Sequence, residues 1–547
     1  MELKLKILLF LFFCIQSCTI KEPQIQTKNS YIEKVLINGK ETYSKGTIYN
    51  LRTDSVIIHL TFSENIDKTK INPQNFYLTN SIDTSFTILN DTSKRILSFK
   101  INKRLDYFTT YTLYITSGRN LGVNLIDDYQ YSFITQLDPT PKFPKISDDS
   151  LLTLVQRQTF RYFWDYGHPV SGLARERAGS GETVTIGGSG FGVMAMIVAI
   201  ERGFITRQQG FDRIFTIVNF LNTKADRFHG AFPHWLNGTS GKVQPFSDKD
   251  NGADLVETAF MMEGLLTVQQ YFKNGNQEEK NLCDTIQKLW KGVEWTWFQQ
   301  NGQQELFWHW SPNYGWAMNM PITGWNEALI SYVLAASSPT YPIEKSVYDN
   351  GWARNGAIRN GKSFYNVQLP LGEDRGGPLF FTHYSFLGLD PRNLSDTYAN
   401  YWTQNTAHSQ INYRYCVANP LGNFGYSTDC WGLTASDSPN GYNASSPNND
   451  NGTIAPTAAL SSMPYASEES MRALQYFYYV LGDKIWSDYG FIDSFNLNKK
   501  WFSNSYLAID EGPIIDMIEN YRTGLLWNLF MQSEDVQRGL KKLGFSY

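Results

Sequence analysis

Asp250, Asp254 and Glu257 lie in one short run, DKDNGADLVETAFMMEGLL, which opens a long apolar-periodic segment. Offsets of i, i+4 and i+7 predict three carboxylates on one face of a single helix, within its first two turns. Asp250 or Asn251 would serve as N-cap, and the positive end of the helix dipole favours acids there. Capping accounts for one acid easily, but not for Glu257 on the same face as Asp254, where like charges repel. The surrounding text is aromatic: WHWSPNYGW at 308–316, Gly324-Trp325, and HWLNG at 234–238. Carboxylates beside indoles and phenols suit a cleft that grips and cleaves sugars. A calcium loop is a poorer account of DKDNG, because the Gly comes one place early and no Glu stands at the twelfth position.

Two further acids fit the same chemistry. Glu327 is the one charged group in NMPITGWNEALISYVLAA, an apolar segment predicted to be an inner helix starting at Thr323 or Gly324. It could be half of a capping box. Burial against Trp325 and Asn326 would instead raise its pKa and keep it protonated, as a general acid requires. Near the C-terminus, Asp510 and Glu511 precede Gly512-Pro513; with Pro513 at the first helical position they read as a cap region. Should the helices close into a ring, Asp510 becomes the candidate base that activates water.

Other signals are weaker. GGSGFG at 187–192 lacks the strand and the Lys-Ser/Thr ending of a phosphate loop, so tight backbone packing explains it better. His229 and His234 do not have the spacing of a helical zinc pair. His309 and His383 lie among aromatics and could hold sugar hydroxyls or serve the core. No metal or organic cofactor is implied.

Positioning these groups takes two kinds of structure. Over 31–137 the apolar period is two: Ile58, Leu60 and Phe62; Leu97, Phe99 and Ile101; Tyr111, Leu113 and Ile115; Tyr129, Tyr131 and Phe133. Short strands divided by polar turns predict an Ig-like β-sandwich, all-β, resembling the bacterial Ig-like domains of surface proteins. Residues 138–148, with three prolines, read as a semi-rigid linker. From 149 to 547 the period becomes 3.6, with helices expected near 149–164, 189–202, 207–223, 253–273, 282–300, 323–337, 394–408, 467–481 and 513–531. The absence of strand–helix alternation argues against a TIM barrel or Rossmann sheet and for an all-α domain.

A length of 547 residues suits two domains. Net charge is −4 with no basic stripe, which makes nucleic acid an unsuitable partner. The start, MELKLKILLFLFFCIQSC, reads as a secretory signal over 1–18, too short to span a bilayer. Its end resembles a lipobox, which would make Cys18 the lipidated residue of an exported, envelope-anchored protein in the periplasm or outer membrane. Of the remaining cysteines, Cys416 and Cys430 could pair in an oxidising compartment or stay buried thiols. A monomer is expected.

The text from about Leu151 to Tyr547 is similar to the glycoamylase-like proteins, specifically glycoside hydrolase family 144, which acts on β-1,2-glucans. The matching blocks are TIGGSGFGVMA, ADRFHGAFPHWLNG, DNGADLVETAFMMEGLL, WHWSPNYGWAMNMPITGWNEALI, GGPLFFTHYSFLGLDPR, CWGLTASD and YLAIDEGPI. The resemblance implies an (α/α)6 toroid or barrel and an inverting mechanism, with the important acids falling on Asp250, Asp254, Glu257, Glu327 and Asp510. Trp310, Trp316, Trp325 and Tyr384 would then stack on pyranose rings, and Arg375 and Asn319 would bond hydroxyls of a β-linked glucan or oligosaccharide. Rival readings are a catalytically inactive glycan-binding lipoprotein and a lyase or hydrolase for another polysaccharide.

Overall fold

The computed structural model describes residues 27–80 and 86–547; the signal segment and Cys18 lie outside the described residues. The chain divides between Asp138 and Pro139 into two compact units.

The first unit is a β-sandwich. One sheet orders strands 40–42, 32–37, 57–62, 96–101 and 86–88, all antiparallel. The other orders 47–51, 129–135, 110–115 and 76–78, with only the 47–51/129–135 pair parallel. Alternation works as it should on a sheet with one buried face: Ile58, Leu60 and Phe62 are buried while Ile57, His59 and Thr61 are half-buried. The inward rows of both sheets meet in one core that includes Val35, Leu97, Phe99, Leu113 and Phe133.

The second unit is helical: α1 (Asp148–Trp164), α2 (Ile186–Glu201), α3 (Arg207–Thr223), α4 (Leu255–Phe272), α5 (Gln277–Lys291), α6 (Leu329–Ser337), α7 (Tyr401–Ala418), α8 (Pro456–Leu460), α9 (Ser467–Tyr479), α10 (Ala508–Arg522), α11 (Leu525–Phe530) and α12 (Glu534–Leu543). Helices α2, α4 and α6 are apolar nearly all round, and α10 is buried over most of its length; such helices need neighbours on every side. They form an inner ring in which α10 packs on α2, α2 on α4 and α4 on α6. Two 3₁₀ turns, 379–382 and 384–386, continue the ring, and His383 joins them to α8 through Ser462 (3.0 Å). Helix α8 packs on α10 and closes the circle. Amphipathic α1, α3, α5, α9 and α12 pack outside, giving an (α/α)6 barrel.

Glycines bring α2 and α4 into backbone contact. A Cβ on Gly190 would sit 2.4 Å from the Phe260 carbonyl, and one on Gly264 would sit 2.2 Å from the Gly190 carbonyl. GGSGFG is therefore a packing device.

Several expectations need correction. Helix α6 begins at Leu329, because Gly324 takes a positive φ (78°) and the Asn326 side chain caps Ala328 N; Glu327 sits in the turn before the helix. Helix α10 begins at Ala508, so Pro513 is internal and Asp510 and Glu511 lie in the first turn. Helix α7 runs 401–418, set by the Asn400 cap. Helix α12 went unread, although Ser533, Val536, Leu540 and Gly544 mark its cap, face and stop. Within 138–148, Lys142 N bonds Tyr479 O (2.7 Å) and Phe143 stacks on Tyr478, so this stretch is packed against α9. Cys283, Cys416 and Cys430 are buried free thiols. No described helix is long and apolar enough to cross a membrane.

Candidate active site

The inner helices begin around a common cavity of about 470 Å³. Thr185 before α2, Val256 and Glu257 in α4, Glu327 before α6, Phe380 and Tyr384 in the 3₁₀ turns, and Leu507 and Ile509 at α10 all line it. Helix starts carry unpaired amides and the positive end of the dipole, so acids gather there at reduced cost.

The first acid group forms on α4, but not as one helical stripe. Asp254 is the N-cap: its Oδ1 accepts from Val256 N (3.0 Å) and Glu257 N (2.9 Å). Asp250 therefore precedes the helix, in a turn bridged to Ser247. Its carboxylate still joins the others, because the short strand Ala253–Asp254 pairs with His309–Trp310 and sets His309 between them. His309 Nδ1 is 3.4 Å from Asp250 and 3.7 Å from Asp254. His234 Nδ1 donates to Asp254 Oδ2 (3.0 Å), and its Nε2 is 3.8 Å from Glu257. Burial opposes charge on both imidazoles, but the surrounding carboxylates prevail: His309 is raised and His234 is pushed up to about 9. Burial still raises Glu257, against the pull of His234. Glu257 Oε2 accepts from Gly187 N (2.6 Å), an approach that a Cβ on Gly187 would block at 2.7 Å. His234, Asp250 and Asp254 each offer an atom within 4.8 Å of the others, so a metal ion held there would displace the His234 proton.

The second group surrounds Asp510. It is 2% exposed and stands behind the cavity wall, touching it through Tyr384, whose OH lies 3.4 Å from Asp510 Oδ1. The charge of Asp493 bears on Asp510 as well. Asp437 N donates to Asp493 Oδ2 (2.7 Å), and Arg177 neutralises Asp437 (3.1 Å) and Glu176 (3.0 Å). Burial, then the neighbouring acids, raises Asp510 and Glu511 well above the carboxylate range, and Asp493 to about 7.

Glu327 stands between the groups on the cavity wall. Burial and the charges of Asp254 and Glu257 raise it to about 7. Its backbone carbonyl accepts a short hydrogen bond from Ser385 Oγ, which also receives Ile330 N, so the turn carrying Glu327 is tied to the 3₁₀ segment.

The Glycoamylase family model matches residues 319–534 and the bacterial Ig-like domain model residues 24–135. An endo-β-1,2-glucanase from Chitinophaga pinensis, solved with sophorotriose and glucose, is 54% identical over 74% of this chain and 99% of its own, with a TM-score of 0.72. The chain belongs to glycoside hydrolase family 144. A β-1,2-glucanase from Parabacteroides distasonis is 38% identical over 94% of this chain and 73% of its own (TM-score 0.71). An exo β-1,2-glucooligosaccharide sophorohydrolase from the same organism is 47% identical over 420 residues; this chain spans 58% of its length. An endo-β-1,2-glucanase from Talaromyces funiculosus, at 12% identity and a TM-score of 0.53, shares the fold.

Within this family-144 chain the expected sugar contacts separate. Tyr384 lines the cavity. Trp325 is core: it packs on Trp352, Phe386 and Tyr401, and its Nε1 faces His408. His383 is buried and held neutral, burial driving its pKa down to about 3, and its partner is Ser462. Trp310 and Trp316 pack around Trp297 outside the cavity lining, and Arg375 bonds Asn448. Asn319 is exposed at a positive-φ turn (43°). Residues given no individual site role from the sequence supply much of the wall: Glu176, Arg177, His234, Trp235, Phe246, Trp308 and Tyr442. HWLNG and WHW pointed at three of them by composition alone. Asp437 and Asp493 gave no local signal, since only barrel closure brings them to Asp510.

Proposed function

We propose that this chain is a glycoside hydrolase that cleaves β-1,2-glucan, releasing sophorose or short β-1,2-glucooligosaccharides, with inversion. Glu327 carries the reading: it is a carboxylic acid poised near neutrality on the wall of a ring-lined cavity. It donates its proton to the leaving glycosidic oxygen while water attacks the opposite face of the sugar. Trp235, Phe246, Trp308 and Tyr384 offer apolar faces to pyranose rings, and the His234/Asp254/Glu257 group offers hydroxyl partners. E327Q should lose ~10²–10⁴-fold in turnover on β-1,2-glucan, while calorimetry still records oligosaccharide binding. Undiminished sugar release would reject the assignment. Fresh reducing ends should appear first as the α-anomer by NMR; β-anomer first would mean retention.

We also propose, from the lipobox-like end of its apolar leader, that the chain is a monomer anchored in the cell envelope through Cys18. C18A expressed with its leader should move from the membrane fraction to the soluble one; an unchanged distribution would exclude the anchor.

A further inference from the structure

His234, Asp250 and Asp254 reach one another from three places on the chain. His234 precedes the strand Trp235–Asn237, Asp250 lies in the turn bridged to Ser247, and Asp254 caps α4. Their ligand atoms form the one trio of histidine, cysteine or acid side chains within 4.8 Å among the described residues. Two buried atoms of the cluster have no hydrogen-bond partner. Asp250 is 4% exposed and its Oδ1 meets no donor; His309 is 8% exposed and its Nδ1 is likewise unpaired. That Nδ1 is nevertheless aimed into the cluster, 3.4 Å from Asp250 Oδ2 and 3.7 Å from Asp254 Oδ2. Buried polar atoms left this way are costly unless a further group completes them.

We propose that His234, Asp250 and Asp254 form a binding site for a divalent transition-metal ion of the zinc class, with His309 positioning the two carboxylates. A tetrahedral ion bound to nitrogen and oxygen at ~2.0–2.2 Å holds its ligand atoms roughly 3.4 Å apart. His234 Nδ1 and Asp254 Oδ2 are 3.0 Å apart, so small side-chain rotations bring the trio onto one ion. The ion takes the place of the His234 ring proton. His309 Nδ1–H then donates to the ligating carboxylates, as outer groups of metal sites do. His234 lines the cavity and its side chain is 24% exposed, which gives the ion a way in and water a place to complete the coordination.

The donor set selects the metal. Mg²⁺ and Ca²⁺ take shells built of oxygen, whereas an imidazole beside two carboxylates suits Zn²⁺. Other zinc-binding groups are poorer: Cys283, Cys416 and Cys430 are buried and stand outside the trio, and His229 with Glu294 (2.9 Å) supplies two ligands only. The site goes beyond the hydrolase reading and does not depend on it, because the ion binds without sugar.

The test titrates the chelator-treated full chain with zinc chloride in a calorimeter, without sugar. Wild type should bind one ion per chain, and magnesium chloride should not compete. D250N and H234Q each remove a ligand and should weaken binding more than ~100-fold; H309Q removes an outer donor and should cost ~10–100-fold. A wild-type chain that takes up no zinc overturns the site. So does zinc binding left unchanged in folded D250N and H234Q, which would put the ion elsewhere. If those variants fail to fold, an anomalous difference map from zinc-soaked wild-type crystals decides. A peak ~2.0–2.2 Å from His234, Asp250 and Asp254 supports the site, and its absence there overturns it. Sugar release is a separate measurement, so a failed hydrolase assay leaves this result standing.

Discussion

Asp254 and Asp510 are both buried acids in the opening turns of inner helices, yet their surroundings are opposite. Asp254 accepts two amides and an imidazole, with a second imidazole 3.7 Å away, and its pKa is lowered. Asp510 accepts one long phenol bond and faces another acid, and its pKa is raised. Burial disfavours charge equally at the two sites; what differs is the supply of donors and cations. The side of the cavity around Asp254 is therefore rich in donors for a carboxylate, and the side backed by Asp510 is poor in them.

Removing a cation from the first group tests the contrast most severely. His234 is raised from 6.5 to about 9 in the folded chain, so its contribution is complete below about 6.5 and is lost as pH rises through about 9. H234Q should be destabilised by roughly 3 kcal/mol at pH 6 and by little at pH 10, followed by urea unfolding. A penalty that does not change with pH would mean that His234 is neutral. A smaller change probes the second group. Glu511 is raised by burial, then by Asp510 and Asp493, so the wild type loses stability as pH climbs above the ordinary glutamate range. E511Q escapes that loss and should melt about 1–2 °C higher than wild type at pH 8, but not at pH 4. Equal melting points at both pH values would place a charge on Glu511.

Both architectures were legible because periodicity survives in short windows: Ile58-Leu60-Phe62 on the sandwich, and Met261, Leu265 and Val268 along α4. The acids at helix starts were legible as well, since caps leave local signatures. Angular placement was not. Asp250 shares helical spacing with Asp254, but the strand pairing at Ala253 keeps it off the helix and brings it back through His309. Trp325 was expected to stack on sugar and His383 to hold hydroxyls or serve the core; ring closure makes both of them core. Asp493 is separated from Asp510 by a strand pair, and nothing in the intervening residues announces the contact.

The crossing of α2 over α4 at Gly190 and Gly264 leaves no side chain to act as a cushion. The two rods are locked there, Gly190 one turn into α2 and Gly264 midway along α4, close behind the acids they present to the sugar. A methyl group inserted at that joint would reach the cavity as a change of aim: α4 would tilt, carrying Asp254 and Glu257 off the positions that His234 and Gly187 hold for them.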